Sequence, residues 1–470
     1  MHKLETAGTM TDLSISLDAS AYIAGNFAPV HEEHTITDLN VIGQIPEELE
    51  GRLLRNGPNP IDDIDMVNHH WFLGDGMVHG VRLRGGKAEW YRNRYVGSER
   101  TAELLGKASP GALTGNVGPN TNVIGHAGST FAIVEAGTKP VELTYELESV
   151  RTNGFDDSLL NGFSAHPKYD PLTGEMHAMC YSPATLGDKL EYVVVGAEGA
   201  MTKTVQITVP TMPMVHDMAL TQKYAVVMDL PVAVDIELAM GGSPFPVRWF
   251  DDYNARLGLL PRDAADESAI IWCEIDPCFA FHPLNSYDTD DGKMIIDICV
   301  FERIFHTDRN GPFGDAGPVL ERWTVDPAAG KVAREVIDDR VQEFPRVAGR
   351  VLNQKHRFGY TGGVDNTPGS MAYGHTYKYD FDLGTSSTHD HGATRQAGEP
   401  VFVSRQGGVD EDDGWLLLTV FDADTNTSDV VILDASDIAN DEVARIQLPV
   451  RIPHGFHGNW VRDSLTPPPS

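Results

Sequence analysis

A chain of 470 residues is too long for one ordinary core unless its architecture grows by repetition, as a barrel, solenoid or propeller does. The formal net charge of -32 at pH 7 repels nucleic acid and anionic membrane surfaces, which excludes both as primary partners. The hydrophobic fraction of 41% is globular, and 46 glycines and 29 prolines suit many short strands joined by tight turns.

None of Cys180, Cys273, Cys278 and Cys299 belongs to a C-x-x-C pair. The thiols therefore read as reduced and the protein as cytoplasmic. Residues 1–20 show no charged segment followed by an apolar one, and no run approaches the ~20 apolar residues that span a bilayer. Residues 1–20 read as a tail. No linker rich in Gly, Ser or Pro divides the rest, so 21–470 is expected to form one domain.

In chain order, Gly51 to Arg55 reads as a strand stopped by Asn56-Gly57-Pro58. His70 to Leu83 reads as a β-hairpin turning at Gly74-Asp75-Gly76. A short helix is expected around Ala102 to Leu105, and a second hairpin pairs Thr121–Ile124 with Thr130–Glu135 around His126-Ala127-Gly128. Short apolar strands recur at Glu175–Tyr181, Tyr192–Val195, Lys203–Val209, Tyr224–Leu230, Ile270–Ile275 and Met294–Val300. Further strands follow at Glu321–Val325 and Ala333–Ile337, and a clear pair at Trp415–Phe421 and Ser428–Leu433. Val232 to Arg262, with Trp249 and Phe250, breaks this rhythm and reads as a loop or lid with an apolar face. No fixed-period repeat is visible. Even so, the succession fits an all-β propeller whose blades would take roughly 60–70 residues each.

Most of the 18 histidines sit in polar or turn contexts. His2, His31, His34, His306, His389 and His391 are expected to be exposed, while His69, His70, His79 and His126 are expected to make structural hydrogen bonds beside turns. His166, His216, His282 and His457 differ, because each lies where an apolar or small-residue segment meets a turn. Spacing alone does not make them ligands, since no H-x-x-H or H-x-x-x-H motif links them. Their contexts are equally those of satisfied core histidines.

Eight strings carry a specific resemblance: RNGPNP, HWFLGDGMVHG, SAHPKYD, MVHDMALT, FHPLNSYD, EFPRV, EDDGWLL and GFHGNW, in this order between about residues 40 and 462. Together they resemble the carotenoid cleavage oxygenase family. The resemblance implies a seven-bladed β-propeller with loop and short-helix insertions capping an axial site. It also implies one non-haem Fe(2+), held by His166, His216, His282 and His457. Glu135, Glu343 and Glu411 are implied as the carboxylates that orient the ligating rings. Thr121, in Asn120-Thr121-Asn122-Val123, is implied to lie close to an open iron position. His454, three residues before His457, would face the opposite side of a strand.

The activity implied is cleavage of an alkene bond of a carotenoid or apocarotenoid by O2 into two carbonyl products. The alternative is cleavage of stilbenes or other phenylpropanoid alkenes to aromatic aldehydes. Stilbene-cleaving relatives carry a lysine before the first of the three glutamates. Val134 stands there in this chain, which favours an apolar polyene. Phe279, Phe281, Trp249, Phe250 and Phe456 are candidates for the substrate tunnel or its mouth. The expected partners are O2 and a small hydrophobic alkene, with transient membrane contact for substrate uptake by a monomer. Two readings from other classes are a metal-free binding scaffold and a hydrolytic propeller holding a divalent cation on carboxylates.

Overall fold

The computed structural model describes residues 22–65, 69–111, 118–152, 154–309, 311–312, 316–364 and 374–463. The expected tail, residues 1–20, lies outside them. The regular structure of the described residues is almost all strand, with two short α-helices, Glu99–Leu105 and Ile236–Met240. The first helix starts on a capping box in which the Ser98 side chain accepts from Thr101 N–H, and it ends at the left-handed Gly106.

The strands form antiparallel sheets in a propeller-like arrangement. Seven blades were expected, but among the described residues hydrogen bonding delimits five separate sheets of four to six strands. Two further four-stranded runs merge into one eight-stranded sheet, because the outer edges of Ile271–Glu274 and Lys331–Asp338 meet in a single parallel pair, Glu274 with Lys331. The ring is closed by non-local pairing: Gly458–Arg462, near the end of the chain, lies antiparallel to Gly51–Pro58.

Several local expectations change in the structure. The strand from Gly51 runs through Asn56-Gly57 to Pro58 and is buried along its whole length. Proline is tolerated there because it ends the strand. His70 to Leu83 is not a hairpin. Trp71–Leu73 forms a 3-10 turn whose Phe72 N–H donates to His70 Nδ1, and only Gly76–Arg84 is strand. Tertiary packing overrides local alternation here, since Trp71 sits among the rings of Tyr22, Phe27, Phe72 and Phe456. The hairpin of Asn122–His126 with Ser129–Ile133 forms about Ala127 (φ 48) and Gly128 (φ 81), the two positive-φ residues that a tight primed turn requires.

The supposed insertion splits in two. Val232–Val234 pairs with Val247–Trp249 across the second helix, whereas Arg256–Pro261 is an ordinary blade strand between Tyr224–Asp229 and Ile271–Glu274. His389 and His391 are buried rather than exposed. His389 Nδ1 lies 2.8 Å from Ile438 O and His391 Nε2 lies 2.9 Å from Thr376 Oγ1, so a turn carbonyl and a strand hydroxyl supply the partners that water was expected to supply.

Candidate metal centre

Each of the four singled-out histidines stands just before an edge strand of a sheet. His166 precedes Lys168–Tyr169, His216 precedes Ala219–Leu220, His282 precedes Pro283–Asp288 and His457 precedes Gly458–Arg462. The eight-stranded sheet supplies two of them, from its two opposite ends. Ligand-capable nitrogens of the four rings lie within 4.8 Å of one another. Ring centroids are 4.4 Å apart for His166 and His216, 4.4 Å for His166 and His457, and 4.6 Å for His282 and His457. His454 stays out of the cluster, with its ring against Phe27 and Nε2 2.7 Å from Gln396 Oε1.

Asparagines pin these segments. Asn122 Nδ2 donates to Ala165 O beside His166, and Asn459 Nδ2 donates to Asn122 Oδ1, both at 2.9 Å. His457 N–H donates to Thr121 O at 3.0 Å. The close approach of the segment before His457 to the strand Gly51–Pro58 also needs two glycines: a Cβ on Gly57 would meet Gly455 Cα at 2.6 Å, and one on Gly455 would meet Asn56 O at 2.9 Å.

Three rings approach carboxylates through Nδ1. His282 Nδ1 lies 2.7 Å from Glu343 Oε2, and His457 Nδ1 lies 3.0 Å from Glu399 Oε1. His216 Nδ1 lies 2.7 Å from Glu135 Oε2, though off the line of a hydrogen bond. Glu135 and Glu343 are each followed by a non-glycine residue with positive φ, Ala136 (φ 61) and Phe344 (φ 56). At Glu343 this accompanies a register shift in the strand, which turns the carboxylate onto the axis.

Glu411 is not at the centre. Its carboxylate accepts the backbone N–H groups of Arg357 and Phe358 at 2.7–3.0 Å. Glu399 takes the place expected of it. Sequence reasoning passed over Glu399, yet a signal was present: it is a lone acid among Ala397, Gly398, Pro400 and Val401, whereas Glu411 sits in the acidic run Asp410 to Asp413. Burial pushes the Glu399 carboxyl up, but Arg346 and His457 outweigh burial and hold it below the usual carboxylate range. Burial pushes Glu343 up.

Among the described residues His166 has no such acceptor. The nearest carboxylate oxygen, Asp217 Oδ2, is 4.0 Å from its Nδ1 and is bonded by Lys168 Nζ at 2.6 Å. Burial, followed by the neighbouring rings, holds His166 and His282 well below the ordinary imidazole range. Neutral imidazoles are the metal-binding form.

These residues fit a cation. His166 Nε2 is buried without a hydrogen-bond partner among the described residues. His216 Nε2 and His282 Nε2 face one another at 3.1 Å, and in the tautomer that the two carboxylates favour both would present lone pairs. An all-imidazole set suits a transition ion rather than calcium or magnesium.

The cluster is reached from two sides. On one side is an apolar cavity of about 610 Å³, lined by Trp71, Phe72, Phe281, Phe456, Val134 and Thr121 among others, with His216, His282 and His457 at its inner wall. Phe281 lies edge-on to His216 at 4.8 Å. The Thr121 hydroxyl donates to Asn120 Oδ1 at 2.9 Å. Phe279, Trp249 and Phe250, expected at the tunnel, do not line this cavity; the first two lie in the hydrophobic core. On the other side a cavity of about 750 Å³ with a mixed polar and apolar lining brings His166, His282 and His457 together with Lys168, Asp217, Arg346 and Glu399.

Residues 27–462 match the family described as retinal pigment epithelial membrane protein. The chain is 39% identical to a carotenoid cleavage oxygenase of Mycobacterium tuberculosis, over 96% of this chain and 99% of that one. The chain belongs to the carotenoid cleavage oxygenase family. In three dimensions the oxygenase fold is shared with a lignostilbene dioxygenase of Pseudomonas brassicacearum (TM-score 0.85, 26% identity, 94% of this chain and 98% of that one). It is also shared with a cobalt-substituted apocarotenoid oxygenase of Synechocystis (TM-score 0.82, 27% identity, 95% of this chain and 99% of that one). The family places the four-histidine cluster in an oxygenase.

Proposed function

We propose that this chain cleaves a carbon–carbon double bond of a carotenoid or apocarotenoid with O2, giving two carbonyl products. One observation carries the reading: an apolar cavity of about 610 Å³ ends on three of the four converging imidazoles, His216, His282 and His457. A ferrous ion held by His166, His216, His282 and His457 would supply the activation of O2 that alkene cleavage needs. Glu135, Glu343 and Glu399 orient three of those rings from behind. The walls formed by Phe72, Phe281 and Phe456 bind the polyene and exclude water, so the protein contributes positioning rather than an acid–base pair. Thr121 narrows access to the centre on the same wall. Val134 leaves the wall before Glu135 without a charged handle for a phenol.

We read the eight-stranded sheet as two blades, making seven around one axis within a single unit spanning 21–470. In support, one residue pair joins its halves and each half ends at its own histidine. Uptake from a membrane by a cytoplasmic monomer fits the second helix, where Ile236 and Met240 are 57% and 85% exposed and Ile236 also lines the cavity. No described helix is long and apolar enough to cross a membrane.

The second reading, oxidative cleavage of a stilbene or related phenylpropanoid, is favoured by the likeness to the lignostilbene dioxygenase. The test offers an apocarotenal and a hydroxystilbene together to Fe(II)-loaded protein in air, with mass spectrometry of the aldehydes. Polyene-derived carbonyls are expected. Benzaldehyde-type products alone would replace the first reading by the second.

A further inference from the structure

Among the three carboxylates behind the histidines, Glu135 is held differently. Glu399 accepts from Arg346 Nε at 2.8 Å and from the backbone N–H of Gly458 at 2.9 Å. Glu343 accepts from the backbone N–H of Phe344. Glu135, among the described residues, accepts a hydrogen bond from one group, the Tyr181 hydroxyl, at 3.0 Å to Oε1. Its other oxygen, Oε2, is the one that approaches His216 Nδ1 at 2.7 Å.

Tyr181 ends the buried strand Met176–Tyr181, in a sheet that carries neither Glu135 nor His216. Its side chain lines the apolar cavity beside Glu135 and is only 8% exposed. A carboxylate fixed at one oxygen by a rigid phenol can turn only about that contact, which limits where its second oxygen meets the imidazole. Burial, reinforced by Glu135, pushes the Tyr181 phenol well above its ordinary range, so it keeps the proton that it donates.

We propose that Tyr181 is a positioning residue for the metal centre: its hydroxyl orients Glu135, and through Glu135 the ring of His216, from the wall of the substrate cavity. The inference rests on the four-histidine reading of the site. Outer partners of ligating histidines typically contribute 10- to 100-fold to metal affinity. Tyr181 stands one step further out, so its share is placed at the lower end.

The test uses full-length metal-free protein titrated with Co(II) against a competing chelator, read by the visible ligand-field absorption of the bound ion. Wild type, Tyr181→Phe, Glu135→Gln and the double variant are compared, with His216→Ala as reference. Tyr181→Phe removes one oxygen from a ring that otherwise stays packed, and melting of the metal-free proteins checks that packing. The expected result is about tenfold weaker Co(II) binding and an altered spectrum for Tyr181→Phe. No further loss is expected when that change is added to Glu135→Gln, because both act through one contact. Unchanged affinity and spectrum in Tyr181→Phe, or losses that simply add in the double variant, overturn the proposal while leaving the metal site intact. A wild type that binds no Co(II), or a His216→Ala variant that binds it as well as wild type, overturns the metal reading and the proposal together.

Discussion

At the scale of single residues, the centre depends on which carboxylate stands behind which ring. Glu399 is buried between Arg346 and His457, while Glu411 caps two backbone N–H groups on another segment. Glu399→Gln should weaken Co(II) or Fe(II) binding by about 10- to 100-fold, since an amide no longer draws the His457 proton. Glu411→Gln should leave metal binding unchanged and cost stability by ~1–2 kcal/mol, through weakened acceptance of two backbone donors. Chelator competition and denaturant melts on the two variants separate these outcomes. Glu343 was legible in the string EFPRV, and Glu135 because it ends an apolar strand. Glu399 was not, because the acidic run at Asp410 to Asp413 offered a stronger match in sequence while the buried acid lay elsewhere.

At the scale of elements, close backbone approach and buried charge hold the blades in register. The strand Gly51–Pro58 and the segment before Gly458 touch through Gly57 and Gly455, where a methyl group would meet backbone atoms that cannot yield. Gly455→Ala should displace the His457 segment and lower metal affinity at least tenfold, about the size of losing an outer partner of a ligand, measured by the same titration. On adjacent strands of the eight-stranded sheet, Asp297 is fully buried and takes a two-pronged bond from Arg322 at 2.7 and 2.8 Å, with His356 Nε2 3.1 Å away. Burial raises its pKa, but Arg322 and His356 outweigh that and hold it low. A depressed carboxylate contributes stability above its unfolded value and loses it as pH falls through the folded one. Asp297→Asn should therefore destabilise the protein by ~3–5 kcal/mol at neutral pH, with a smaller difference from wild type in strong acid. Urea midpoints at neutral and acid pH are the measurement.

For the whole molecule, stability rests on closure and on neutral buried histidines. Burial pushes His70, His79 and His391 down to about 3 from an ordinary 6.5. Below 6.5 the unfolded chain takes up protons that the folded chain refuses until about 3, so stability is full above 6.5 and falls as pH drops through that window. Melting temperature should decline steadily between pH 6.5 and 4, beyond the change expected of exposed carboxylates, and replacing His79 by Gln should reduce the decline. The ring closes only when Gly458–Arg462 pairs with Gly51–Pro58, about 400 positions earlier. A chain ending at His457 should lose cooperative unfolding, seen as a broadened thermal transition.

The sequence by itself determined the strand-rich class, the family and the four histidines, because each of these is written in short contiguous strings whose chemistry is local. It could not determine how many sheets stand apart, since the single pair of Glu274 with Lys331 that merges two of them depends on where two distant edges come to rest. Nor could it place Trp71 in a turn rather than a strand, because the rings of Tyr22, Phe27 and Phe456 that hold it there arrive from opposite ends of the chain. Glu399, Tyr181 and the second cavity behind the cluster belong to the tertiary structure for the same reason. Hydrogen bonding and burial act through space, and the partners that give these residues their roles lie 46 to 58 positions away in sequence.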